Sequence, residues 1–274
     1  MGSRRPAAYH FPWNPARSRD GVGLDTPKLR GIFGDLHIRA DPSAIQSLGV
    51  KYGAPNPRQD TPATVILVHG LWTPPLVLVP HARWLRQCGY PTLRFGYRSV
   101  RASLSQNAQA LARFVAATEA TDIHLVGHSL GGLVILDMLR QGADARLRRV
   151  VLLGTPCLDS HCARRLARVA GMPALLGRSI GEWMARGPGA TAAPHDTVEV
   201  GVLAGTRSVG LGRVVPGLPR PNDGVVTVAE TRLPGAADHI VLPVAHSEML
   251  ASPRCAAQIG AFLAGGRFLH GEHA

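Results

Sequence analysis

The sequence predicts an α/β fold: a mainly parallel sheet of about six strands, flanked by helices and carrying a small helical insertion. Three observations lead there. From Thr64 onward, short apolar runs alternate with stretches of helical periodicity, the pattern of crossover connections between parallel strands. Several of those runs are continuously apolar rather than alternating, as strands covered on both faces require. One glycine-rich pentapeptide, Gly127-His128-Ser129-Leu130-Gly131, sits between such a run and a helical stretch.

The elements follow in order. Val65-Ile66-Leu67-Val68 is the first strand. Residues 76–88 read as a helix that Gly89 and Pro91 break. Thr92-Leu93-Arg94-Phe95 is the second strand. Ser103 with Gln106 three residues on is a capping box, and Leu104, Ala108, Leu111 and Val115 give the helix behind it one apolar face. Ile123-His124-Leu125-Val126 is the third strand, residues 130–141 the next helix, and Val150-Val151-Leu152-Leu153 the fourth strand. Val198 to Leu203 and Ile240-Val241-Leu242 are the fifth and sixth. Ser252-Pro253 supplies an N-cap and first helical position for a helix to about residue 264.

Two regions stand apart. Residues 1–60 are rich in Pro, Gly and Arg, lack acidic residues before Asp20, and read as an irregular, partly disordered lead-in to a domain over 61–274. Residues 157–196 interrupt the strand–helix alternation and read as short helices above the sheet, either a lid or a cover. Leu158, Leu166, Val169, Met172, Leu175, Leu176, Ile180, Trp183 and Met184 are its apolar residues.

Composition narrows the function classes. No apolar run approaches the roughly 20 residues of a bilayer span. No apolar h-region follows the first arginines, so a cytoplasmic location is expected; an Arg-rich transit peptide is the alternative. The net charge of +12 is carried almost wholly by Arg spread along the chain, without clusters or aromatic interleaving. That argues for a solvated basic surface with no nucleic-acid partner and at most weak association with a membrane surface. The four cysteines form no Cys-x-x-Cys pair and are read as reduced thiols, although Cys157 and Cys162 are close enough to bridge if oxidised. No His/Cys spacing suits a metal, so none is expected.

The chemistry is carried by a few residues. A Ser between strand and helix, with Gly on either side, has the form of a nucleophile turn that lifts Ser129 out at the carboxyl edge of the sheet. His69-Gly70-Leu71-Trp72 ends the first strand. A tetrahedral oxyanion needs preorganised N–H donors, and Leu130, with Leu71 (Trp72 as the second choice), stands where they belong. A Ser nucleophile also needs a base oriented by a carboxylate, in the chain order Ser, acid, His. His246, after the sixth strand, is the base, with His239 the rival. Asp223, in Asn222-Asp223-Gly224, is the acid; Asp238 and Glu230 are weaker rivals, Asp196 lies on the wrong side of the fifth strand, and Glu248 follows the His. His69 and His128 read mainly as local supports, with Trp72 and His128 the candidate substrate contacts.

With those residues in view, the chain resembles the lipase and serine-esterase branch of the α/β-hydrolase superfamily. The resemblance rests on Val65 to Gly70, Leu125 to Gly132, Asn222 to Val226 and Val244-Ala245-His246. It implies an α/β-hydrolase fold, a Ser129–Asp223–His246 triad, oxyanion donors at Leu71 and Leu130, a small-molecule ester or acyl substrate and no cofactor. The same triad would serve a thioesterase or an acyltransferase. A binding protein that keeps the fold without turnover, and a basic peripheral membrane or nucleic-acid binder, are the readings from other classes. The oligomeric state is left open. The chain departs from larger members in that residues 1–60 do not read as the usual antiparallel first strands and the oxyanion loop has no Gly-Gly-Gly run.

Overall fold

The computed structural model describes residues 62–187, 197–210 and 217–271. The lead-in expected over 1–60 and the end of the insertion, 188–196, lie outside the described residues. Six parallel strands form one sheet in the order β2-β1-β3-β4-β5-β6: β1 Thr64–Val68, β2 Thr92–Phe95, β3 Ile123–His128, β4 Leu147–Leu153, β5 Glu199–Gly205 and β6 Asp238–Leu242. The chain runs from β1 outward to β2 and then returns to β3 on the other side of β1. That reversal is a topological switch point at the carboxyl ends of β1 and β3, the place where open α/β sheets as a rule bind ligands.

Alternate side chains of each strand enter two separate cores, because strand periodicity is 2. Ile66, Val68, Ile123, Leu125, Val150 and Leu152 meet helices α2 (Leu104–Ala116) and α3 (Leu130–Gln141) on one face. Val65, Leu67, Val126, Val151 and Leu153 meet α1 (Val79–Gln87) and α6 (Pro253–Gly265) on the other. The expected helix over 76–88 divides into a 3-10 turn at Pro75–Leu78 and then α1. The physical reason is a second proline: Pro80 lacks the N–H that a helix started at 76 would use, but fits the first turn of one started at 79. The Ser103–Gln106 capping box forms with both of its bonds, at 3.2 and 3.0 Å. Ser252 accepts from the Cys255 N–H, and Gly266 ends α6 at φ 71°. None of the described helices is long and apolar enough to cross a membrane.

The insertion contains α4 (His161–Ala167) and α5 (Met172–Ala185), with a break at Gly177 (φ 78°, ψ 178°). A side chain at Gly177 would run into the Val100 main chain. Beyond the break, α5 is fixed. Arg178 N–H donates to Val100 O at 2.8 Å, Ser179 to Ala102 O at 2.9 Å, and Asn107 to Ser179 at 2.9 Å. Arg186 bonds Asp137 at 2.5 Å and Glu182 at 2.7 Å, and Ser105 donates to Glu182 at 2.5 Å. Leu176, Ile180 and Trp183 are buried against the sheet-side core, whereas Val169 and Leu175 are exposed. The second half of α5 is therefore a cover, and only the stretch before the break presents apolar residues outward.

Burial works against the charge on Glu182, but hydrogen bonds from Ser105 and Arg186 outweigh it and hold the carboxyl at about 2, below its ordinary 4.5. A depressed acid contributes stability above its unfolded value and loses it as pH falls toward the folded one. Glu182→Gln is accordingly expected to lower the melting temperature by roughly 2–4 °C near pH 7, the shift that about 1 kcal/mol produces in a domain of this size. The gap between variant and wild type should close as the pH is taken from about 4.5 toward about 2. A gap that stays constant across that range would refute the role given to Glu182.

Candidate active site

Ser129 stands between β3 and α3 at φ 54°, ψ −122°. A side chain in that region costs about 1–3 kcal/mol, so the surroundings must enforce it. They do so through small residues and three bonds. The Ser129 N–H donates to Leu153 O at 2.9 Å, and its carbonyl accepts from Gly132 N–H at 3.0 Å and from the Thr155 hydroxyl at 3.2 Å. A side chain at Gly131 would overlap the Val68 and His69 carbonyls, and one at Gly132 would occupy the space of Thr155. Strand, turn and helix approach so closely only because these positions lack a Cβ. The turn also sets Ser129 at the N-terminus of α3, where the helix dipole favours negative charge.

Asp223 and His246 meet across the loops that follow β5 and β6. Their side chains form a hydrogen bond of 2.7 Å between His246 Nδ1 and Asp223 Oδ2. Asp223 is fully buried. Its other oxygen accepts from the Val225 and Val226 N–H groups at 2.9 and 2.7 Å, and its main-chain carbonyl accepts from the His246 N–H at 2.8 Å. A carboxylate so held keeps the proton on Nδ1 and leaves Nε2 with its lone pair. Gly154, at φ 54° after β4, lies beneath the pair; a Cβ there would sit 3.0 Å from both Asp223 Oδ2 and His246 Nδ1. Sequence reasoning missed Gly154, although a glycine closing a buried strand at the carboxyl edge was the available signal.

Ser129 makes no side-chain hydrogen bond to His246 among the described residues. Such contacts commonly tighten only with a ligand bound. His128 links the two loops instead: its Nε2 donates to His246 O at 3.0 Å, and the rings lie 4.7 Å apart. Burial pushes the His128 pKa well down, with His246 nearby adding to the effect, so the ring is neutral. Expected as a local support or a substrate contact, the His128 side chain is buried and its Nε2–H is committed to a backbone carbonyl. A local support describes its place.

The other candidates separate cleanly. His69 stacks on Tyr97 at 4.4 Å, and the Tyr97 hydroxyl donates to His69 O at 2.8 Å. Trp72 is half exposed, with its indole N–H donating to Leu175 O at 2.8 Å. The main-chain N–H groups of Leu71, Trp72 and Leu130 donate to no acceptor among the described residues. Of the rivals, His239 bonds Thr231, Asp238 pairs with His270, Glu248 pairs with Arg207, and Glu230 accepts from the Thr227 and His161 N–H groups. Asp196 lies outside the described residues. All four cysteines are free thiols, and burial pushes Cys157, Cys162 and Cys255 up to about 12.

Comparison with known proteins agrees with this architecture. The family model for the alpha/beta hydrolase family matches residues 65–272, and the chain belongs to that family. No curated protein matches it. Among solved structures, it is similar to the mature lipase BlEst2 of Bacillus licheniformis, with a TM-score of 0.59 and 19% identity over 78% of this chain and 95% of that one. It is also similar to the metagenomic carboxyl esterase MGS0156, with a TM-score of 0.52 and 22% identity over 69% and 65% of the two chains. At these identities the likeness concerns the fold.

Gly154→Ala should displace the Asp223–His246 pair, since the added methyl meets both groups at 3.0 Å. The far-downfield proton resonance of the His246 Nδ1–H is expected to vanish in the variant while the far-ultraviolet circular dichroism stays native. An unchanged resonance would mean that Gly154 does not set this geometry.

Proposed function

We propose that the protein is a serine hydrolase that cleaves carboxylic esters through an acyl-enzyme on Ser129. The observation that carries this reading is the 2.7 Å bond between buried Asp223 and His246, formed next to a serine at φ 54° on a helix N-terminus. Membership of a hydrolase family and a fold shared with a lipase and a carboxyl esterase support it.

The steps follow from the groups available. His246 Nε2 takes the Ser129 hydroxyl proton as the oxygen attacks the ester carbonyl. Asp223 keeps the imidazole in the reactive tautomer and stabilises its charged form. The Leu71 and Leu130 N–H groups hold the oxyanion, assisted by the α3 dipole. His246 then returns the proton to the departing alcohol. A water molecule, deprotonated by the same base, attacks the acyl carbon; the bond to Ser129 Oγ breaks, the acid leaves, and His246 returns the proton to Ser129. The substrate class is a small-molecule ester or acyl compound, and the steps draw on the side chains of Ser129, His246 and Asp223, two main-chain N–H groups and water.

Fluorophosphonate labelling with mass mapping tests the nucleophile. Adduct is expected on Ser129 and should be lost in His246→Ala. With a short-chain p-nitrophenyl ester, Ser129→Ala is expected to lower kcat by roughly 10⁴- to 10⁶-fold, and Asp223→Asn by up to about 10⁴-fold. Turnover that survives Ser129→Ala, or adduct on a different residue, would dismiss the proposal. Parallel assays on thioester and amide substrates would define the acyl group's preferred partner.

A further inference from the structure

Ser129 is accompanied by a second non-glycine residue with positive φ among the described residues: Trp72, at φ 59°. A bulky side chain is an outlier there, and the conformation persists only where other contacts enforce it. Burial does not supply them, because Trp72 is 51% exposed. The indole N–H supplies one: it donates to Leu175 O at 2.8 Å, across 103 residues of sequence. This is the hydrogen bond that joins the turn after β1 to the insertion among the described residues. Of the turn's other side-chain bonds, Thr73 to Gly70 O at 3.1 Å and His69 Nδ1 to Gly70 O at 2.9 Å are internal to it, and the Tyr97 hydroxyl reaches His69 O at 2.8 Å from the end of β2.

What Trp72 reaches lies at the edge of a fixed segment. Leu175 directly precedes buried Leu176 and the Gly177 break, whose backbone abuts Val100. From Arg178 onward, α5 is bonded to Val100, Ala102, Ser105 and Asp137. The carbonyl that receives the indole N–H is thus tied to the body of the sheet's flanking helices.

We infer that Trp72 is a positioning residue for the oxyanion donor. The indole–Leu175 bond holds the turn at Trp72 in its left-handed conformation, and α5 thereby buttresses the Gly70-Leu71-Trp72 loop, whose Gly70–Leu71 peptide carries the Leu71 N–H. This rests on the reading of Ser129 as nucleophile and Leu71 as donor. A donor held in place beforehand needs no reorganisation as charge develops on the oxygen, so the benefit falls on kcat rather than on substrate binding. The insertion then acts on the reaction through a single indole, without touching the substrate.

Trp72→Phe keeps the aromatic ring and removes the donor. With a soluble short-chain ester, kcat is expected to fall about 10-fold or more, toward the roughly 10²- to 10³-fold loss that removal of one oxyanion donor brings. KM should be nearly unchanged. Trp72→His, whose ring N–H can donate, should recover part of the loss. An unaltered kcat in Trp72→Phe overturns the inference, and so does a rise in KM alone, which would make Trp72 a wall of the substrate site. The wild-type protein gives an independent readout should the variants fold poorly: the Trp72 indole N–H is expected to exchange slowly with deuterium, and rapid exchange overturns the tie to Leu175. A wild type with neither turnover nor fluorophosphonate adduct would fail the hydrolase reading itself. An active, Ser129-labelled wild type with an indifferent Trp72→Phe would fail this inference alone.

Discussion

Keeping Ser129 in the left-handed region requires that strand, turn and helix close on one another almost at backbone contact, and much of the molecule is arranged around that requirement. The two glycines after the serine leave no side chain where β1 and the end of β4 press in. Leu153 O takes the serine N–H, and Thr155 takes up the space that Gly132 vacates. These partners come from strands on either side of β3 in the sheet order, or from the residues just after them. The elbow is therefore not a local motif that folds by itself. It exists because three neighbouring parallel strands end at the same level, and because both faces of the sheet are covered by apolar helices that keep those strands in register.

The Asp223–His246 pair is built on the opposite logic. Asp223 and His246 belong to loops, and loops are held by hydrogen bonds rather than by packing. Asp223 accepts two main-chain N–H groups, and its own carbonyl receives the His246 N–H. The surrounding histidines contribute as neutral spacers. His128 spans from the Ser129 turn to the His246 carbonyl, while His81 fastens the following turn by donating to Met249 O at 2.6 Å. Burial lowers the pKa of both rings, so neither brings a positive charge to this corner of the fold.

Much of this was legible in the sequence because the signals were local. The Val65 to Val68 run, the capping box at Ser103 and the Ser252-Pro253 start each carry their physics within a few residues. So does the Gly-x-Ser-x-Gly pentapeptide at 127–131, since a strand before it and a helix after it leave one placement for the serine. Asp223 and His246 were legible through chain order, because crossover connections deliver successive loops to the same sheet edge. What stayed hidden was long range. Nothing in His128 announces that its ring bonds a carbonyl 118 residues away, nor in Trp72 that its indole finds Leu175. The division of the insertion into an anchored half and an outward half depends on Arg186 meeting Asp137 and Glu182 from different helices. The split of the 76–88 helix was readable in principle, from the second proline.

The complementarity of Gly132 and Thr155 has an evolutionary consequence. The methyl and hydroxyl of Thr155 fill the space beside Gly132, and that hydroxyl also bonds the Ser129 carbonyl. Gly132 cannot acquire a side chain unless residue 155 gives up part of its own. Each therefore restricts which substitutions the other can survive, a case of epistasis between sites 23 residues apart in the chain. Divergence at this corner of the sheet has to proceed by paired steps or through a compensating smaller side chain, while the loop tips farther out are free to vary one residue at a time.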